Sequence, residues 1–308
     1  AAARRNELDY DRFYATIEPD RAKAVLLDLG VYRARLDEHA AGANVLRSRG
    51  PVVSGVLPFS RQPKNVVLVS VESLSASYVG AYGDSRGLTP FLDELAQGGL
   101  KFDRVFATGT RTVRGLEAMS LGTPPIPGQA IVRRPGNEHL ATLGEILTPQ
   151  GMAAYFFYGG YGYFDNMNAY FAANNYKVID RTDIPGDSIV FENVWGVADE
   201  TLFEHAARTF DVDHANGRPF FAQIMTTSNH RPYTYPPGRI DIPSPGGREG
   251  AVKYTDYAIG KFIRDAGSRP WFKDTLFVII AELDTTAVGA IAAQRSKTRR
   301  SLSRSRFA

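Results

Sequence analysis

The sequence predicts an α/β fold, with helices on both faces of a mostly parallel sheet. Four short, near-continuous runs of aliphatic and aromatic residues carry the prediction: Asn65–Val71, Ala153–Tyr158, residues 219–226 and Thr275–Ala281. They show little polar alternation, as expected of strands covered on both faces. Amphipathic stretches with helical spacing separate them, the pattern of an alternating strand–helix domain. The 308 residues are 44% apolar and 11% aromatic, enough for one large core and too aromatic for disorder.

Taken in order, residues 1–60 read as a charged, partly helical lead-in. Residues 21–36 have helical spacing, and 47–63 form a Gly- and Pro-punctuated linker. The first strand follows at Asn65–Val71, then a helix at 89–97 with Thr89 as its cap and Pro90 in the first turn. Residues 115–121 and 142–147 read as helical, Ala153–Tyr158 as the second strand and 165–173 as a short helix. Residues 198–210 form a stronger amphipathic helix before the strand at 219–226, and 251–266 a further helix before Thr275–Ala281, read as the last strand. Beyond Ala281 no core pattern is legible, and the end of the chain is Ser- and Arg-rich.

Charge and composition exclude several classes. Residues 294–308 hold six of the 36 Lys and Arg and none of the 33 Asp and Glu, so the remainder is mildly acidic at −3 despite a formal +3 overall. A nucleic-acid-binding reading would rest on that tail alone. The absence of cysteine excludes disulfides, thiol nucleophiles and thiolate metal sites. No apolar run approaches the roughly 20 residues of a membrane span. With no initiating Met, a missing N-terminal part is expected.

In an open parallel sheet, ligand-binding groups collect just past the C-terminal ends of strands. Three such ends carry polar residues: Glu72, the run Thr226-Thr227-Ser228-Asn229-His230, and Glu282. A carboxylate there suits a divalent cation, although Glu72 reads equally well as a cap for the following turn. Thr112, in the loop-to-helix segment ATGTRTVRGLEAMSLG, would stand where a helix dipole stabilises an alkoxide or a phosphate. Arg111 and Arg114 would add charge for an anion. Taken alone, Thr112 reads as a helix cap and His230 as a structural histidine.

Four segments together point further: VSVESLSASYVGAYG, LTPFLDELAQGGLKFDRVFATGTRTVRGLEAMSLGTPP, FFYGGYGYFDNMNAYFAANNY and FAQIMTTSNHRPYTYPP. In content and order they resemble the lipoteichoic acid synthase and phosphoglycerol transferase group of the alkaline phosphatase–sulfatase superfamily. The resemblance runs from about Asn65 to Ala281. It implies an α/β/α sandwich around a mostly parallel sheet, with its C-terminal part missing here. It implies a connector at 1–60 that follows membrane helices, a catalytic domain at 61–282, and an atypical basic tail at 283–308.

The implied activity is metal-dependent transfer of a phosphoryl head group from a phospholipid donor to an envelope glycan or glycolipid. The reaction would pass through a phospho-threonine, outside the cytoplasmic membrane of a bacterium. Carried over by motif, Thr112 is the nucleophile, and Glu72, Thr112 and Glu282 are the metal ligands. The metal would be manganese, with zinc or magnesium as alternatives. His230 is the phosphate-binding histidine, with Arg111, Arg114, Asn229, Asp165 and Asn166 contacting substrate.

Two departures qualify this. The group's head-group pocket has a Trp and an Arg where this chain reads Phe164-Asp165-Asn166-Met167, which leaves phosphoethanolamine open beside phosphoglycerol. The group's last strand runs into an Asp-His metal pair; here stands Glu282-Leu283, with the one Asp-His dipeptide, Asp213-His214, expected in a loop at the wrong end of the sheet. A shifted reading frame after Ala281 would account for this, and impaired activity would follow. The alternatives are a hydrolytic sulfatase or phosphatase, and a catalytically dead head-group-binding remnant. Thr112-Val113-Arg114 without any cysteine argues against sulfate-ester hydrolysis.

Overall fold

The computed structural model describes residues 63–282 apart from 108, 125 and 127, the strand at 287–293, and residues 18, 20, 21, 24 and 25. The chain divides into two compact units, Ala1–Pro58 and Phe59–Ala308. In the first, the described residues Asp20, Arg21, Ala24 and Val25 are helical and exposed. The rest of the expected 21–36 helix, and the chain from 294 onward, lie outside the described residues.

The second unit is built on a seven-stranded sheet. Its strands are β1 (Asn65–Val71), β2 (Leu100–Phe106), β3 (Ala153–Tyr158), β4 (Lys177–Ile179), β7 (Phe220–Met225), β8 (Thr275–Ala281) and β9 (Ala287–Ala293), in the order β2-β9-β8-β1-β7-β3-β4. A separate two-stranded hairpin joins β5 (Glu192–Asn193) to β6 (Gly196–Val197). β1 pairs in parallel with β7 and β8, and β3 pairs in parallel with β7 and β4. β9 runs antiparallel between β8 and β2.

Alternating side chains supply two cores, one per face. Val67, Val69 and Val71 of β1, Phe220, Ala222 and Ile224 of β7, and Phe277, Ile279 and Ala281 of β8 pack on helices α1 (Pro90–Gly98), α5 (Asp199–Ala215) and α6 (Gly247–Ala266). Phe156 and Tyr158 of β3 and Phe221 and Met225 of β7 pack on α2 (Thr112–Leu121) and α4 (Met167–Ala172). The short α3 (Leu143–Leu147) closes that second face. Stacked ring pairs join α5 to α6, Phe203 with Phe262 at 4.8 Å, and the sheet to α4, Phe156 with Phe171 at 3.7 Å. Such pairs add roughly 0.5–1.5 kcal/mol beyond area burial.

Four details depart from the sequence reading. Thr275–Ala281 is not the last strand: Ala287–Ala293 joins the sheet, its Ala- and Gly-rich run carrying only Val288 and Ile291 of the β-branched residues that mark strands elsewhere. Thr89 does not cap α1 with its side chain. Its hydroxyl accepts from Gly80 N–H, and the Asp256 carboxylate on α6 takes the amides of Phe91 at 3.0 Å and Leu92 at 2.8 Å instead. Asp213-His214 lies not in a loop but in the last turn of α5, where Asp213 pairs with Arg218. The helix expected at 115–121 begins at Thr112.

Candidate active site

Strand register builds the centre of the site. Val71 and Ala281 are parallel partners, and both face the α5–α6 core. The next residue of each chain, Glu72 and Glu282, is therefore aimed at the opposite face, one strand spacing (about 4.8 Å) apart. The Glu282 N–H donates to the Val71 carbonyl at 3.0 Å, carrying the pairing to that point. Both glutamates are buried, at 4% and 3% exposure, so two acids separated by 210 positions share one desolvated corner.

The backbone of Glu72 is clamped by the loop after β7. Its N–H donates to Thr226 Oγ1 at 3.0 Å, and its carbonyl accepts from Asn229 Nδ2 at 2.9 Å. Ser73, in the left-handed region at φ 48°, donates its hydroxyl to Glu72 Oε1 at 2.6 Å. The clamping loop is itself folded around Asp199, the first residue of α5, whose buried carboxylate accepts from Thr227 and Ser228 N–H and from the Thr255 hydroxyl.

α2 closes the corner from above. Gly115, one turn into the helix, lies directly on Glu282, and a Cβ there would fall 2.1 Å from the Glu282 carbonyl oxygen. This approach brings half-buried Thr112, the first residue of α2, against the Glu282 carboxyl. Arg111 precedes it without capping the helix by its side chain.

Neither Thr112 nor Glu72 is aligned to hydrogen-bond Glu282, and both Glu282 oxygens are buried without a partner. Burial, then the negative charge of Glu72, hold the Glu282 carboxyl well above its ordinary range. Tyr158, the last residue of β3, has its hydroxyl pushed up by burial and by the field of Glu72, Glu282 and Asp165. Asp165 therefore borders the same corner, where Arg133 pairs with it at 3.4 Å.

The other expected substrate contacts divide. Asn229 belongs to the site, with its Oδ1 buried and unpartnered. Arg114 is occupied by Glu117 at 2.8 Å and by the carbonyls of Ile126 and Gly128, so it holds a loop in place. Asn166 donates to the Val132 carbonyl at 2.9 Å. His230 is half-buried, with its ring against Trp195.

Two orphaned carboxylate oxygens facing a second carboxylate form an arrangement that a hard cation relieves. Glu72, Glu282 and Thr112 fit one by their chemistry. Among the described residues no three His, Asp or Glu side chains gather closely enough to hold a metal ion without the hydroxyl.

A family model described as Sulfatase matches residues 64–282. The chain belongs to the Sulfatase family. The matched span of this Sulfatase-family chain includes Glu72, Thr112, His230 and Glu282. Phosphoglycerol transferase I of Salmonella arizonae is 28% identical over 239 residues, which is 71% of this chain and 30% of that protein. The chain thus spans about a third of the length of the curated relatives it matches.

The fold is that of the alkaline phosphatase superfamily. A structure from that superfamily, from Vibrio parahaemolyticus, superposes with TM-score 0.72 at 36% identity, over 76% of this chain and 61% of the other. The lipoteichoic acid synthase LtaP of Listeria monocytogenes gives 0.66 at 19%, over 75% and 65%. The C-terminal periplasmic domain of EptC from Escherichia coli, solved in complex with Zn, gives 0.56 at 14%, over 79% and 76%. These last two share the fold.

Two residues at the site escape the sequence reading, Tyr158 and Trp195. The Tyr158 hydroxyl ends a strand whose other residues are plain core, so only its terminal position could have signalled it. Trp195 sits in the turn of the β5–β6 hairpin. That hairpin reaches the site because Gly196, at φ 132°, packs on Gly159, where a Cβ would meet the carbonyl oxygen at 2.0 Å. The Gly159-Gly160 pair was the available signal.

Proposed function

We propose that this chain carries the catalytic centre of a head-group transferase of the phosphoglycerol transferase type. The reaction moves a phosphoryl head group from a phospholipid to an envelope glycan through a phosphorylated Thr112. The observation that carries the reading is the convergence of Thr112, at a helix N-terminus, on the register-paired acids Glu72 and Glu282. The names of the sequence relatives and the superfamily fold support it.

Thr112 supplies the nucleophilic oxygen. The first turn of α2 directs its dipole at the charge that builds there. Glu72 and Glu282 would hold a divalent cation, with the Thr112 oxygen as a third donor. When bound, manganese, zinc or magnesium supplies positive charge that acidifies the hydroxyl and offsets the phosphoryl oxygens. His230 orients or protonates a phosphoryl oxygen. The unpartnered Asn229 Oδ1 accepts from a head-group hydroxyl.

The lipid leaves first and the acceptor hydroxyl then takes the phosphoryl group, so kinetics are ping-pong. Among the described residues no helix is long and apolar enough to cross a membrane. We place the domain outside the cytoplasmic membrane of a bacterium, where both lipid donor and glycan acceptor are reached.

One observation favours a second reading, binding without turnover: two carboxylates and a hydroxyl make a sparse ligand set. Mass spectrometry of the chain incubated with manganese and a phosphatidylglycerol donor tests both. A phosphoryl adduct on Thr112, absent from Thr112→Ala, is expected. Thr112→Ala should keep the fold, since losing a hydroxyl at a helix start costs about 1 kcal/mol. Full turnover of a chromogenic phosphodiester by Thr112→Ala removes the threonine mechanism, and binding of donor with neither adduct nor turnover selects the second reading.

A further inference from the structure

His230 is held by more than its own loop. The ring of Trp195 lies over its imidazole, with centroids 3.7 Å apart and planes at 40°. Trp195 Nε1–H donates to the carbonyl of Arg231, and the same oxygen lies 3.0 Å from His230 Nδ1. A carbonyl can only accept, so Nδ1 must carry the hydrogen, and the oxygen's two lone pairs serve both donors. In the neutral imidazole that leaves Nε2 unprotonated, so Nε2 is the nitrogen that takes up a proton and, as N–H, can then face a phosphoryl oxygen. Phe164 meets the Trp195 ring edge-on at 5.7 Å and 82°. The Trp195 N–H donates to Asn193 Oδ1 at 2.8 Å, and Asn193 Nδ2 donates to Thr234 Oγ1 at 3.0 Å, tying the hairpin to the chain beyond His230.

We propose that Trp195 is the positioning residue for His230, fixing the plane of the imidazole by stacking and its tautomer through the shared Arg231 carbonyl. It does so without touching the reacting atoms. The inference rests on the assignment of His230 to the phosphoryl group, and it separates Trp195 from an ordinary hairpin anchor. An anchor would contribute to stability whatever stood at position 230. A positioning residue acts on the reaction only through the histidine.

The test uses the full chain with 15N-labelled histidine, with the His230 signals identified by their loss in His230→Gln. Long-range 15N–1H spectra at alkaline pH should show a protonated Nδ1 and an unprotonated Nε2, with ring protons displaced by the indole ring current. Trp195→Ala should abolish the displacement and mix the tautomers. Trp195→Phe, the milder change should the alanine variant fold poorly, should keep ring stacking and lose only the tautomer preference. His230 spectra unchanged in Trp195→Ala overturn the proposal.

With manganese and a chromogenic phosphodiester, Trp195→Ala should lower kcat/KM about tenfold, mainly in kcat, the scale of one lost stacking and hydrogen-bonding contact. In a His230→Ala background the same change should cost less than about twofold. Equal losses in both backgrounds overturn the proposal. Absence of turnover from the unmodified chain would count against the transferase reading, while the histidine spectra would still decide the role of Trp195.

Discussion

Glu282 stands where two requirements conflict. Its carboxyl is buried without a partner beside a second buried acid, so it favours the protonated form, whereas holding a cation requires it ionised. Metal affinity of this chain should accordingly be weak, and turnover impaired but measurable. Compared with an aspartate, the glutamate adds a methylene at a strand end whose position is fixed by register. Glu282→Asp combined with Leu283→His, a position outside the described residues, should tighten manganese binding in calorimetry and raise turnover together. Tight one-to-one binding by the unmodified chain would show that Glu72, Glu282 and Thr112 suffice. At this scale the two glutamates were legible, because each follows a strand that the residue pattern marks clearly. Tyr158 was marked only by its place at a strand end, and Trp195 was not legible: its place depends on which backbone a pair of glycines admits, and that is a long-range fact.

Among the elements, α1 and α6 share a buried carboxylate. Asp256 accepts both first-turn amides of α1, yet burial pushes its pKa to about 7, with Asp93 adding to the rise. The protonated form is thus favoured in the folded state. The associated stability is fully present below the ordinary carboxyl pKa near 4 and is lost as pH rises through about 7, by at most about 4 kcal/mol. Asp256→Asn should remove this dependence while giving up one amide bond, about 1 kcal/mol. Urea unfolding at pH 5 and pH 8 checks it: the variant should gain on the parent by more than about 2 kcal/mol between the two pH values. Parallel slopes for the two proteins would sink the assignment. The same comparison explains which elements the sequence disclosed. β1, β3, β7 and β8 announce themselves because both their faces are buried. Strand β2 alternates with Lys101 and Asp103, β4 has three residues, and β9 is mostly Ala and Gly, so their pairing comes from neighbours more than from propensity.

For the whole molecule, β1 is the hub. It is paired on both edges and covered on both faces, with Val67 and Val69 fully buried. Its amides should therefore exchange hydrogen only through global unfolding, while those of the β5–β6 hairpin exchange through local opening. Native-state hydrogen exchange measured against urea would show this as a denaturant dependence for β1 equal to that of global unfolding. A shallow dependence at Val67 and Val69 would deny β1 its central role. The hub also sets a timetable. Asn65, at the start of β1, donates to Thr275 at the start of β8, 210 residues later. At about 5–20 residues per second, a ribosome needs roughly 10–40 s to make that interval. Until β7 emerges, 155 residues on, NVVLVSV has neither edge paired, and its β8 edge stays open for the whole interval. A newborn chain thus carries an unpaired apolar strand edge until its two acids can meet.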